Sequence, residues 1–210
     1  MKFFISRKYL KALEVTAAQQ DIRDYLISVH FVATKKSTYG VSTDGHKMGI
    51  VNFPVDNEYL DCERLELTVP LNAIKAIKHQ AKRADDLIVI EKSGEHWLVN
   101  DIIMNVASGF RPIESRYPAD VERVIPKETS GEVAQFNAEY IAEFGKVSKI
   151  LGLKYPHPII GHNGSSASTV EFEDETKWFG VIMPIRCANA SRITPINAFP
   201  PKFVEKCKVA

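Results

Sequence analysis

One pattern recurs three times along this chain: a short alternating stretch, a helical stripe, then further alternating stretches separated by turn residues. In the first repeat KFFI leads into a helix predicted over residues 6–19. Tyr9, Leu10, Leu13 and Ala17 recur there at helical spacing and form an apolar stripe, and Ser6 stands where a cap belongs. Strands are predicted over 25–34, 39–43 and 47–52, with turns at 35–38 and at Asp44-Gly45. The second repeat opens on LELTVP and predicts a helix over 71–83 with Ile74, Ile77 and Ala81 inward. The strands LIVIE, HWLVN and IIMNVA follow, the first two joined at Ser93-Gly94. In the third, GEVAQF precedes a helix over 137–150 striped by Tyr140, Ile141, Phe144, Val147 and Leu151. After a proline-rich break at 155–158 come PIIGH, STVEFE and WFGVIMPI.

The repeats start near Lys2, Leu65 and Glu132, roughly 60 to 70 residues apart, a spacing that fits internal repetition. The fold class expected is α+β: repeated strand–helix–strands modules with helices on one side of antiparallel sheets. Such a module buries its helix and sheet by packing on a second one. Residues 1–126 therefore form one complete domain of two modules, residues 127–186 a half-domain of one module, and residues 187–210 a C-terminal extension. The stretch 110–127 is the connection between the second and third modules.

Composition narrows the class without naming it. The 210 residues are 45% hydrophobic and 25% charged, with a formal net charge of +1, as in an ordinary globular protein. Near-neutrality leaves room for a local basic surface. Cys62, Cys187 and Cys207 have no metal-ligand spacing and an odd count, which favours a reduced compartment. MKFFISRKYL is not a secretory signal, and no apolar run is long enough to span a membrane, so the expectation is a cytoplasmic protein with no membrane partner.

Candidate chemistry is sparse. His46 lies two residues from Asp44, yet no nucleophile or carboxylate motif completes a catalytic arrangement. His157 and His162 are five apart in a loop, a weak metal pattern. GHNG at 161–164 lacks the lysine and hydroxyl of a phosphate loop. No catalytic residue, metal site or cofactor is expected.

Several of these segments resemble the bacterial β sliding clamp of DNA polymerase III. AAQQDIRDYL followed by VSTDGHKMGIV resembles the start of that clamp's middle domain, and LTVPLNAIKAI with SGFRPIESRYPADVERVIP resembles the rest of that domain and its exit loop. FNAEYIAEF and WFGVIMPIR resemble the helix and closing strand of its last half-domain. The resemblance covers residues 2–186 in the family's order and implies the DNA-clamp fold. It further implies a non-enzymatic processivity factor that encircles double-stranded DNA and binds peptides of DNA polymerase and of the clamp loader.

It also implies sites. Helices of the family line the ring, which assigns Arg7, Lys8, Lys11, Lys75, Lys78, Lys82, Arg83, Lys146 and Lys149 to a DNA-facing surface. Spacings of three and four put Lys75, Lys78 and Lys82 on a common helix face. The family's peptide groove, carried across, has Thr43, Gly45, His46, Lys47 and Met48 as one wall. Pro118, Arg123 and Val124 form the next, and Val181, Met183, Pro184, Ile185 and Arg186 the closing strand. Lys47, Arg123 and Arg186 would meet the peptide's polar groups. YPADVERVIP is one residue longer than the family's spacing.

The sequence departs from the family in lacking its first domain and the first half of its last. A family ring holds twelve modules, so four three-module chains would supply one if the unpaired module is completed by a neighbour. A homo-oligomer, a tetramer by this counting, is the expectation. The competing reading is an interaction module that keeps the groove, never encircles DNA, and modulates or competes with a host clamp.

Overall fold

Phe3 and Ile5 point inward and Lys2 and Phe4 outward along the first strand, so the opening alternation becomes a half-buried strand. In the computed structural model, which describes residues 1–114, 117 and 121–185, the first repeat forms β1 (Lys2–Ser6), α1 (Arg7–Thr16), β2 (Ser28–Thr34), β3 (Ser37–Thr43) and β4 (Lys47–Pro54). The second forms β5 (Arg64–Pro70), α2 (Leu71–Lys75), β6 (Leu87–Ser93), β7 (His96–Asp101) and β8 (Val106–Phe110). A single turn of helix, α3 (Val121–Val124), precedes the third: α4 (Ala138–Leu151), β9 (Ile159–Gly161), β10 (Ser168–Phe172) and β11 (Glu175–Ile182).

The strands make two antiparallel sheets. One runs β1-β6-β7-β8, the other β5-β2-β3-β4-β11-β10-β9. The strand leading into each of the first two helices thus joins the other repeat's sheet: β1 lies on β6 and β5 on β2. The third repeat is not a separate body. β11 pairs with β4 from Trp178↔Val51 to Ile182↔Lys47, and α4 lies beside α1 over the shared sheet. Gly49 and Gly180 face each other across that junction. A Cβ on Gly49 would stand 2.5 Å from Thr16 Oγ1 of α1, and one on Gly180 would stand 3.0 Å from Phe144 of α4. Both helices approach the seam this closely because neither position carries a side chain.

Most of the predicted stripe residues form the core, but Ala81, expected to face inward, is exposed because the helix has already ended before it. Tyr9, Leu10 and Leu13 of α1, Ile74 and Ile77 of the second repeat, and Phe144, Val147 and Leu151 of α4 join one buried cluster with Phe31, Val51 and Trp178. Each such side chain contributes roughly 1.5–3 kcal/mol by leaving water. At the third helix Asn137 accepts the Glu139 N–H at 2.9 Å and Gly152 ends it in the left-handed conformation, φ 73°.

Two expectations about helices change. The Ser6 hydroxyl donates to Ala84 O at 2.9 Å instead of capping. The first N–H groups of α1 are satisfied from the second repeat, Arg7 N on Asp86 O and Lys8 N on Ala84 O. The helix predicted over 71–83 stops after Lys75, apart from a 3₁₀ turn at Ala81–Arg83. Carbonyls beyond that point are bound by α1: Lys11 Nζ donates to Ile77 O at 2.8 Å, Arg7 Nη1 to Lys78 O at 3.1 Å and Arg7 Nε to Arg83 O at 3.0 Å. GEVAQF is not a strand, and Ile102–Asn105 of IIMNVA form the turn into β8. Pro118, Arg186 and the extension 187–210 lie outside the described residues.

Candidate peptide groove and basic surface

The TDGH turn joins β3 to β4 and is built by its own polar groups. Asp44 Oδ1 accepts the N–H groups of His46 and Lys47, each at 2.8 Å, and Thr43 Oγ1 accepts Gly45 N and donates to Lys47 O. Gly45 sits at φ 93°, where a side chain would be strained. The His46 carbonyl accepts Met183 N at 2.8 Å, fastening the exit of β11 to the turn.

A groove of about 320 Å³ opens beside this junction, lined by Arg23, Tyr25, Leu26, Thr43, Gly45, His46, Lys47, Met48, Val121, Val124, Val181 and Met183. Met48 and Val181 are buried and form its floor, while Val124 on α3 stays 39% exposed at its rim. The exit loop is pinned over the sheet by Tyr117, whose ring stacks on His30 at 4.8 Å and whose hydroxyl donates to Val41 O at 3.3 Å. That anchor brings Val121 and Val124 to the groove from about 75 residues away in sequence. Apolar floor and sparse polar rim suit a short peptide with large apolar side chains.

The structure brings together Thr43, Gly45, His46, Lys47, Met48, Val124, Val181 and Met183. Arg123, Pro184 and Ile185 do not line the groove, although Ile185 is fixed nearby by its N–H on Gln135 O at 2.7 Å. Pro118 and Arg186 lie outside the described residues. The expected role of Lys47 is corrected: its ammonium is buried between Asp44 at 2.5 Å and Glu143 at 2.9 Å, so it ties the turn to α4. His46 adds to this tie by stacking on Tyr140 at 5.8 Å.

Arg23, Tyr25, Leu26 and Val121 were not anticipated. Three of them sit in QDIRDYL, a segment already singled out for its likeness. The local signal is Asp21, which accepts the Arg23 backbone N–H at 2.8 Å and two hydrogen bonds of 2.8 and 3.0 Å from its guanidinium, holding that exposed group at the rim.

The basic surface is smaller than the helical pattern suggested. Lys75, Lys78, Lys82 and Arg83 are exposed, as are Lys146 and Lys149 on α4. Only Lys75 belongs to α2, so Lys75, Lys78 and Lys82 do not share a helix face. Lys8 pairs with Asp85 at 2.7 Å and Arg83 with Asp86 at 3.3 Å. Arg7 and Lys11 face inward and leave the DNA-facing set. Arg7 is 0% exposed and bound to Asp101 at 2.6 Å, and Lys11 is 7% exposed, bound to Glu14 and Ile77 O.

Burial, and then the positive charges of Lys78, Lys75 and Arg7, pull the Lys11 ammonium down to about 8. Above that pH the folded chain releases a proton that the unfolded chain holds until about 10.4, so this group makes stability rise over that window. Tyr9 and Tyr117 are pushed above their ordinary range, chiefly by burial, so their contribution falls away above about pH 10. Urea midpoints measured from pH 7 to 11 are expected to climb and then decline. Lys11→Met should flatten the climb and leave the decline, and an unchanged climb would remove Lys11 as its cause.

Among the described residues no group of three or more His, Cys, Asp or Glu is placed to hold a metal, and no helix is long and apolar enough to cross a membrane.

Comparison with known proteins adds the family. Residues 5–119 match the model for the DNA polymerase III beta subunit, central domain. No curated protein matches. Among solved structures, the beta subunit from Pseudomonas aeruginosa superposes with a TM-score of 0.65 at 16% identity, covering 89% of this chain and 67% of that one. The one from Thermotoga maritima gives 0.65 at 13%, covering 90% and 66%. That from Borrelia burgdorferi gives 0.65 at 16%, covering 90% and 63%. The chain spans about two thirds of the length of these relatives, whose clamp architecture of antiparallel sheets flanked by helices it shares. With its central-domain match covering more than half of its length, this chain belongs to the DNA polymerase III beta subunit family.

Proposed function

We propose that this chain is a sliding-clamp-like processivity factor: it assembles as a homo-oligomer around double-stranded DNA and recruits polymerase or loader peptides through the groove at the first and third modules. The observation that carries this reading is the groove itself, formed by four chain segments that converge only in the folded state. The chemistry asked of the protein is binding alone.

Two features support a ring. β4 and β11, the last strands of their modules, pair edge to edge, whereas β8, the last strand of the second module, ends its sheet. Beside it Ile102, Ile103, Met104 and Val106 are exposed, an apolar hairpin tip of the kind that marks an interaction edge. Four chains joined at β8 and at the third module would supply twelve modules. Lys75, Lys78, Lys82, Lys146 and Lys149 would then give weak, sequence-independent contacts to phosphates.

The groove is complete within one chain, which favours a second reading, a non-encircling module that binds the same peptides and competes with a host clamp. Retention on nicked circular DNA, lost on linearisation, separates the two when loading is supplied by a clamp loader. The ring reading expects a mass near four times 23.6 kDa and topological retention. Changing Lys75, Lys78 and Lys82 to Glu should weaken retention and lower the salt slope by about 3, at roughly one per phosphate contact, without affecting peptide binding. A concentration-independent monomer that binds peptide but never stays on circles would sink encirclement.

A further inference from the structure

The first two modules of this chain complete each other by exchange. Each helix is preceded by a leader strand that crosses to the other module: β1 covers the outer edge of β6, and β5 covers that of β2. The geometry is the same in both. The residue before each helix, Ser6 or Pro70, stands opposite the first residue of the receiving strand, Leu87 or Ser28. The next N–H, of Arg7 or Leu71, bonds the carbonyl just before that strand, Asp86 O at 2.9 Å or Ile27 O at 3.0 Å. In an antiparallel ladder this makes the residues one and three before the cap hydrogen-bonded to the receiving strand. They are Ile5 and Phe3 in the first module and Val69 and Leu67 in the second, all buried.

Among the described residues the third module has the helix and the three strands but neither half of the exchange. Its receiving strand β9 ends the seven-stranded sheet with Ile159 55% exposed. Its leader, residues 132–136, ends at the cap Asn137 and carries the same alternation: Phe136 one before the cap and Ala134 three before, both half-buried. Yet it is in no sheet, and Val133 is 81% exposed. It lies beside the loop that follows its own β9, with Gly131 N on His162 O at 3.0 Å, Gly164 N on Glu132 O at 2.8 Å and Ala134 N on His162 Nδ1 at 3.1 Å. Pro156 and Pro158, just ahead of β9, keep this edge short and limit pairing with unrelated sheets.

We propose that the third modules of two copies of this chain complete each other across a two-fold axis, each laying its 132–136 leader on the other copy's β9. A second copy is the occupant because the described residues leave two matching halves, a leader without a sheet and a sheet edge without a leader. A two-fold operation fills both at once. The leaders β1 and β5 are already committed within the chain. The proposal deepens the oligomeric reading above by naming the joint that makes the third module whole.

The test is the molar mass of the full chain by light scattering, with proline placed at one of two adjacent positions. The exchange puts Ala134 N–H in the ladder and turns Gln135 N–H away. Ala134→Pro is therefore expected to halve the mass of the assembly, and Gln135→Pro to leave it unchanged. His162→Ala, which removes only the acceptor that Ala134 uses within its own chain, is also expected to leave the mass unchanged. Monomeric wild type, equal masses for the two proline variants, or a halved mass in His162→Ala would overturn the exchange. So would a rise in mass on removal of residues 187–210, which would show that the chain's own extension occupies the edge. Failure here is distinct from failure of the clamp reading. A halved mass in Ala134→Pro alongside a wild type that never stays on circular DNA keeps the exchange and loses encirclement. The opposite pair of results does the reverse.

Discussion

Arg7→Ala is expected to lower the free energy of unfolding by about 3–5 kcal/mol, although the resemblance assigns this residue to a DNA-facing surface. Its guanidinium has no exposed surface. It is bound to Asp101 at 2.6 Å, lies 3.7 Å from Asp86, and donates to the carbonyls of Lys78 and Arg83. Truncation leaves Asp101, itself 2% exposed at its side chain, as an unpaired buried carboxylate and strips two carbonyls of their donors. The paired change Arg7→Met with Asp101→Leu should recover part of the loss by removing both charges, but not the part owed to the carbonyls. Lys8→Ala, one residue along and paired at the surface with Asp85, should cost no more than about 1 kcal/mol. Urea unfolding of the four proteins decides the matter, and a loss below about 1 kcal/mol for Arg7→Ala would show that the buried pair is not what holds the second module to the first. The effect reaches function indirectly, because the segment Arg7 organises carries Lys78, Lys82 and Arg83.

The same residue shows where the sequence stopped being informative. Charge type is local, and the resemblance to helices that line a ring assigns Arg7 and Lys11 to an outward face. The partners that draw them inward, Ile77, Asp86 and Asp101, lie 66 to 94 residues further on, and only the folded chain brings them near. The short α2 has the same origin, since the apolar positions Ile74 and Ile77 are buried as their spacing requires while the carbonyls beyond are held by α1 instead of by helical N–H groups. The three stripes and most strands were legible because burial follows periodicity. The exchange of β1 and β5 was not, for alternation says that a strand has one buried face and nothing about which sheet receives it. In the groove, TDGHKM and VIMP could be assigned through resemblance. Arg23 lies beyond the helix where no periodicity marks it, Tyr25 and Leu26 belong to a stretch that alternation assigns to a strand but that forms a 3₁₀ turn (Asp24–Leu26) ahead of β2, and Val121 reaches the site only because Tyr117 anchors the exit loop on His30.

The groove offers the largest expected effect on binding. Met183→Asp should weaken binding of a labelled short peptide bearing two large apolar side chains by at least about 100-fold, which is roughly 2.7 kcal/mol. Met183 is half-buried at the end of β11, beyond the paired residues, so an aspartate there puts a charge against Met48, Val181 and Val124 without entering the core of the sheet. Val124→Asp, at the exposed rim on α3, tests the opposite wall and should cost about tenfold, since a rim charge remains partly hydrated. Arg23→Ala should cost a similar amount if its guanidinium, held by Asp21, meets the polar end of the peptide. Lys47 separates a groove effect from a stability effect. Lys47→Met removes the tie to Asp44 and Glu143 and should lower the unfolding midpoint, whereas Met183→Asp should leave it in place. Fluorescence anisotropy gives the affinities and urea unfolding the midpoints. Full affinity in Met183→Asp would place peptide recognition elsewhere on the molecule, and a loss in Met183→Asp matched by an equal fall in unfolding midpoint would mean that the substitution had damaged the fold instead of the site.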